Sequence, residues 1–277
     1  MSTAPWCPLA DHVPFATATP PEMKVLHHRA IALHHRADYA AALPLYQQMV
    51  DLAQTAMATN RTPQTALDVV FAMTELGAVK RDLGDLPGAQ AVLAQAVALG
   101  EQTAGPAHTR IADSLTRLGH VLMIRGRFDE ADATLQRALT MREQLLGPDH
   151  QDVSMTLSSM GNSCSRQGNY RRAKGLLRRA VAIGELHVVP DEYPQELWHA
   201  LRELCHVYAE LQDNARAQQI AERVLALVEQ FRGTDAPITA TALGQLAGCL
   251  HGRGKLSEAL PLFERALAMH PGTRVWS

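Results

Sequence analysis

The sequence has little excess charge and few aromatic residues. Charged residues make up 19%, aromatics 5%, and the net charge is −2 over 277 residues. Neither nucleic acid nor an anionic membrane is called for by such a balance. The basic cluster Arg171, Arg172, Lys174, Arg178 and Arg179 has no aromatics interleaved for base stacking. No run of 18 apolar residues is present, and residues 1–22 lack the basic start and apolar run of a signal peptide. Cysteine is sparse: Cys7, Cys164, Cys205 and Cys249 form no Cys-x-x-Cys or Cys/His zinc spacing. They read as small packing residues in a reducing compartment, and a cytoplasmic location is expected. Also missing are Gly-x-Gly-x-x-Gly, a Walker loop, His-Glu-x-x-His and Gly-x-Ser-x-Gly. No catalytic residue, metal or cofactor is therefore expected, and the chain reads as non-enzymatic.

What the sequence does contain is a repeat. From Leu115 to Leu139, Leu115, Leu118, Gly119 and Leu122 fall on one face of a first helix. Gly126 reverses the chain, and Ala131, Leu135 and Ala138 share a face of a second helix. Gly119 is matched by Gly77 and Gly161, and Gly126 by Gly84 and Gly168, at steps of 42 residues. Phe128 corresponds to Leu86 and Tyr170, Ala131 to Ala89 and Ala173, and Ala138 to Ala96 and Ala180. Gly105-Pro106-Ala107-His108 recurs as Gly147-Pro148-Asp149-His150. Weaker copies carry Leu204, Ala217 and Leu225, then Leu246, Gly254, Ala259 and Ala266; a degenerate one, with Leu26, Ala30, Tyr39 and Ala42, precedes.

The order Leu-x-x-(Leu-Gly)-x-x-Leu, then Ala-x-x-x-Leu-x-x-Ala, resembles the tetratricopeptide repeat signature. The 42-residue step and Gly-Pro-x-His linker are similar to the longer repeat of kinesin light chains. HEAT and armadillo repeats have a similar period but do not place Leu-Gly and two alanines in this register. The resemblance covers residues 23 to 270 and implies an all-α fold, a right-handed α-solenoid of about six helix-turn-helix units.

Units are expected at 23–60, 63–104, 107–147, 150–188, 194–232 and 236–270. A Pro-rich flexible arm occupies 1–22, with Trp6, Leu9, Val13 and Phe15 set in it, and a tail 271–277. Helices are expected at 23–36, 40–58, 63–82, 87–102, 108–125, 128–146, 150–167, 170–187, 194–211, 214–231, 236–252 and 256–269. Asp149 is the expected cap of the 150–167 helix. In the fifth unit Cys205 and Gln212 stand at the two glycine places. His27, His28, His34 and His35 form two pairs about 10 Å apart along one helix, too far for one ion, and read as polar groove surface.

In proteins with this repeat, the inner faces of the first helices line a channel that binds extended peptides. The resemblance therefore implies a non-catalytic protein-interaction scaffold with protein or peptide partners. One channel place, directly after Leu-Gly, carries asparagine in many family members. Here it holds Ile31, Ala78, His120, Asn162, His206 and Gly248, so only Asn162 matches. Its amide offers donors and an acceptor to a ligand backbone. Neighbouring places hold Arg117, Ser158, Ser159, Arg166, Arg202, Glu203 and His251. Arg and His among small hydroxyl residues suit a peptide with an acidic element. The candidate groove is thus Arg117, His120, Ser158, Asn162, Arg166, Arg202, His206 and His251. The alternative is a regulatory subunit of a signalling or protease system, controlled by the arm masking the groove, with Trp6, Leu9, Asp11 and Phe15 as its contacts.

Overall fold

The computed structural model describes residues 19–190 and 192–269. Among them are twelve α-helices and no strand: α1 (Pro21–His35), α2 (Tyr39–Thr59), α3 (Pro63–Asp82), α4 (Leu86–Ala104), α5 (Thr109–Ile124), α6 (Phe128–Leu146), α7 (Gln151–Arg166), α8 (Tyr170–Leu186), α9 (Gln195–Glu210), α10 (Asn214–Arg232), α11 (Pro237–Gly252) and α12 (Leu256–Ala268). Each end lies within two residues of the expected one. The chain divides into two compact units, Met1–Pro148 and Asp149–Ser277. In the first, each helix from α1 to α6 packs on the next, and α3 also on α5; in the second, α7 to α12 do the same, with α7 on α9. Each is a short α-solenoid. Residues 1–18 of the expected arm and the tail 271–277 lie outside the described residues. Pro21, expected in the arm, instead opens α1, where a missing N–H leaves no hydrogen bond unmade.

The turn from first to second helix needs one residue in the left-handed conformation. Gly84, Gly126, Gly168 and Gly254 supply it with φ of 85°, 75°, 73° and 74°, while Ala37 and Gln212 take the same place at 57° and 61°. The latter two hold a conformation that a Cβ disfavours. The next helix is then capped: Asp38, Asp85, Asn169 and Asp213 accept from the backbone N–H three residues on.

At the other junction the repeated Gly-Pro-x-His linker finds its reason. His108 and His150 are N-caps, their Nδ1 atoms accepting from the N–H of Arg110 and Asp152 at 3.1 Å each. His150 therefore replaces Asp149 as the cap of α7. Nδ1 can accept only in the Nε2–H tautomer, so the cap requires a neutral ring. Burial, then Arg110, lowers the His108 pKa and keeps it neutral.

The small residues of the repeat set the helix spacing. Ala42, Ala89, Ala131, Ala173, Ala217 and Ala259 are at most 2% exposed. A Cβ placed on Gly77, Gly119 or Gly161 would lie 2.5, 2.7 or 2.6 Å from the Cγ of Leu93, Leu135 or Leu177. Each leucine fills the space that its glycine leaves. In the fifth pair the volumes are exchanged: Cys205 stands at the glycine place, Ala221 at the leucine place, and both are buried. Four side-chain heavy atoms become three, so most of the volume is kept, and a close-packed interior tolerates near-conserving exchanges best.

Candidate functional site

The candidate residues divide between the two units: Arg117 and His120 lie in the first, Ser158, Asn162, Arg166, Arg202, His206 and His251 in the second.

In the first unit the row of inner-face positions is a ladder of ion pairs. Arg110 Nη1 donates to Asp68 at 2.8 Å and to the Leu67 carbonyl at 2.7 Å, and its guanidinium lies over Phe71. Two turns along, Arg117 Nη2 donates to Glu75 at 2.7 Å. Both pairs link α3 to α5. Arg117 is 5% and Glu75 2% exposed, so the guanidinium is engaged in the interior. Removing either partner would leave a buried charge, at a cost of about 3 to 5 kcal/mol. His120 is half-buried, its pKa pushed down to about 3 by burial and then by Arg81, Arg117 and Arg142. It is a neutral ring, not a cation for an acidic ligand.

The histidines of α1 also differ from expectation. His28 and His35 are exposed, but His27 and His34 are buried. His27 meets the edge of Phe71 at 5.0 Å, and burial lowers its pKa. His34 Nε2 lies 2.9 Å from Asp82, whose other oxygen accepts from Arg81 at 2.7 Å. Burial pushes the Asp82 carboxyl up, yet the contacts with His34 and Arg81 outweigh it and hold the pKa below its ordinary value. These rings are core, because a helix packed on one side buries the apolar-spaced positions whatever residue they carry. Among the described residues no group of three or more His, Cys, Asp or Glu could hold a metal ion.

The second unit brings three candidate residues, Ser158, Asn162 and Arg202, together with Glu203 and two unforeseen positions into one polar row across α7, α9 and α11. Asn162 Nδ2 donates to Glu203 Oε2 at 3.0 Å. Arg202 donates to the other Glu203 oxygen and lies over the Trp198 ring, 5.6 Å from its centroid. Gln245 Nε2 donates to the Arg202 carbonyl at 2.9 Å. Ser158 occupies on α7 the register place that Arg202 has on α9. Beside these bonds, Ser158 Oγ, Trp198 Nε1, Arg202 Nε and Gln245 Oε1 are buried without a hydrogen-bond partner. Next to Trp198, His199 is held neutral, its pKa pushed down to about 3 by burial and then Arg202. Arg166, His206 and His251 are exposed.

Two features of the row escaped sequence reading. Trp198 and Gln245 sit at ordinary helix positions, and only the register, 42 to 44 residues per step, could have placed them beside Ser154 and Glu203 in neighbouring repeats. Of the cations expected to meet an acidic ligand, Arg117 and Arg202 are each matched by a glutamate, one repeat and one position away respectively. No helix among the described residues is long and apolar enough to cross a membrane.

Comparison with known proteins accords with this architecture. A search of curated proteins finds no match. Among solved structures, BtubC (BKLC) from P. vanneervenii superposes with a TM-score of 0.72 at 17% identity, covering 86% of this chain and 96% of that one. Kinesin-light-chain TPR-like repeats from Podosopora anserina give 0.62 at 21% identity, covering 74% and 96%. The apo form of RapI gives 0.60 at 12% identity, covering 94% and 86%. At these identities the likeness concerns the fold. The sequence itself matches a tetratricopeptide repeat family model over residues 110–185 and 197–271, and another such model over 72–110. With more than half its length matched and its small residues at the helix contacts, the chain belongs to the tetratricopeptide repeat family.

Proposed function

We propose that this protein is a non-catalytic interaction scaffold that binds an extended segment of a partner protein across the α7, α9 and α11 face. The observation that carries this reading is the set of unpartnered polar atoms beside the Asn162–Glu203–Arg202–Gln245 row. A buried polar group without a partner costs about 1 to 3 kcal/mol. Trp198 Nε1 and Arg202 Nε are donors, Gln245 Oε1 an acceptor and Ser158 Oγ either, and a ligand reaches them as the side chains that cover them move aside. An extended backbone carries both kinds of group at every residue. Since Arg202 is neutralised by Glu203, the match is to main chain more than to an acidic side chain. Glu203 also fixes the Asn162 amide through its N–H, leaving the Oδ1 acceptor for a ligand N–H.

The test is to pan a random peptide library on the full chain and measure the enriched peptides by calorimetry. Asn162→Ala with Gln245→Ala should weaken binding at least about tenfold, or about 1.4 kcal/mol, with little change in melting temperature. Unchanged affinity would move the binding surface elsewhere.

One observation favours a second reading, control by the N-terminal segment. Thr19 Oγ1 donates to Asp68 Oδ2 at 3.0 Å, so the chain enters the described structure on the inner-face row of α3. Residues 1–18 join the chain at this anchor, and a ligand segment carried on a short linker acts at an effective concentration in about the millimolar range. Deleting residues 1–18 should then tighten binding of a captured peptide; equal affinity of the two forms would leave the segment without this role.

A further inference from the structure

Cys205 lies in the C-terminal half of α9 and Cys249 in the last turn of α11, and their sulfurs are 3.6 Å apart. Both are buried, at 1% and 5% exposure, with Cys249 the more accessible. The corresponding pairs of places in other repeats hold Gly77 with Val121 and Gly161 with Val207, so the two thiols are not demanded by the repeat. Volume explains Cys205, which fills the space left by Ala221, but an alanine or valine would do the same at Cys249. We propose that Cys205 and Cys249 form a redox-active dithiol, a modification site that a hydroperoxide closes to a disulfide linking α9 to α11.

The geometry is near contact distance. A disulfide bond is about 2.05 Å long, so the sulfurs must close by about 1.5 Å from their present 3.6 Å. The single Cys205 S–H has two acceptors within reach, the Ala217 carbonyl of α10 at 3.3 Å and the Cys249 sulfur at 3.6 Å, and it turns to the sulfur when Cys249 ionises. The two thiols differ in reactivity. The Cys249 sulfur and then burial push the Cys205 thiol up, whereas the hydrogen bond with Cys205 holds Cys249 below the ordinary thiol range. Cys249 is thus the entry sulfur. Its thiolate attacks the peroxide; an S–O bond forms, the O–O bond breaks, and the released hydroxide takes a proton to leave as water. The Cys205 sulfur then attacks the sulfenic sulfur; the S–S bond forms, the S–O bond breaks, and the Cys205 proton leaves with the hydroxide as a second water. Two thiols are oxidised by two electrons and one hydroperoxide is reduced. The site is independent of the peptide-binding reading.

The experiment treats the full reduced chain with hydrogen peroxide, then denatures it in alkylating agent and digests it with trypsin. The expected product is a peptide pair, residues 203–216 joined to 233–253, that thiol reductant separates. Cys164, buried on α7, should remain alkylated. Cys249→Ser, which restores the residue type found at Ser163, should abolish the linked pair, as should Cys205→Ala, the residue type at Ala30 and Ala247. Serine keeps the volume at Cys249, whereas alanine at Cys205 leaves a small cavity opposite Ala221; circular dichroism checks that both variants keep the fold. Full alkylation of Cys205 and Cys249 after a dose that converts a small-molecule dithiol to its disulfide would overturn the proposal. So would oxidation of Cys164 at the same rate.

Discussion

Replacing Gly119 by alanine tests the packing logic most directly. The added Cβ would lie 2.7 Å from Leu135 Cγ and 2.8 Å from Cδ2, where ordinary contact is near 3.4 to 4 Å. Leu135 is fully buried and is held between helices, so α5 and α6 must separate or the leucine must leave its rotamer. Such overpacking costs about 1 to 3 kcal/mol. Alanine returns about 1 kcal/mol through helix propensity, leaving a net loss of about 0 to 2. The control is Gly248→Ala, a mid-helix and exposed position where the Cβ meets nothing within 4 Å. There only the propensity gain of about 1 kcal/mol remains. The two alanines should therefore differ by the steric term alone, about 1 to 3 kcal/mol in urea unfolding at constant m. A second arm moves the Cys205–Ala221 arrangement into this repeat. Leu135→Ala alone should cost about 2 to 5 kcal/mol, and less when Gly119→Cys fills the cavity. The coupling should be about 0.5 to 3 kcal/mol. If Gly119→Ala stabilises as much as Gly248→Ala, or the double mutant is additive, glycine and leucine are not complementary and the assigned register fails.

Further outcomes are expected from the turns, caps and histidines. Gly126→Ala should destabilise by about 1 kcal/mol, while Gln212→Gly, which relieves a φ of 61°, should not destabilise at all; thermal melts decide both. Asp213→Ala removes the acceptor for the Arg216 N–H and should cost about 1 kcal/mol, whereas Arg127→Asn, at the uncapped equivalent, should gain a similar amount. His120 and His199 have folded pKa values near 3 against 6.5 unfolded, so folding favours the neutral ring. Depressed values mean that the stability is present above pH 6.5 and lost as pH falls toward 3. At pH 4.5 each should cost about 3 kcal/mol, and His199→Gln should flatten the slope of unfolding free energy against pH in that window. An unchanged slope would mean that His199 is solvated.

Much of the fold can be read from the sequence because its signals are either local or strictly periodic. Gly84, Gly126 and Gly168 announce turns through their own backbone, whatever surrounds them. The recurrence of Ala89, Ala131 and Ala173 marks the helix contacts because close approach of two helices demands a small residue at a fixed phase. The same regularity shows which positions share a face, and so which residues to inspect for a site. It does not show whether a side chain on that face is free. Arg117 and Arg202 look alike as cations in sequence, yet Glu75 sits a whole repeat away from one and Glu203 beside the other. His27 and His34 share a helix with exposed His28 and His35, and the helices packed against α1 decide which are core. Cys205 and Cys249 are separated by a complete helix pair, and only the stacking of α9, α10 and α11 brings their sulfurs together. Helix period is a property of one segment, whereas burial, charge pairing and thiol contact belong to pairs of segments, whose distances the chain acquires only when the repeats stack.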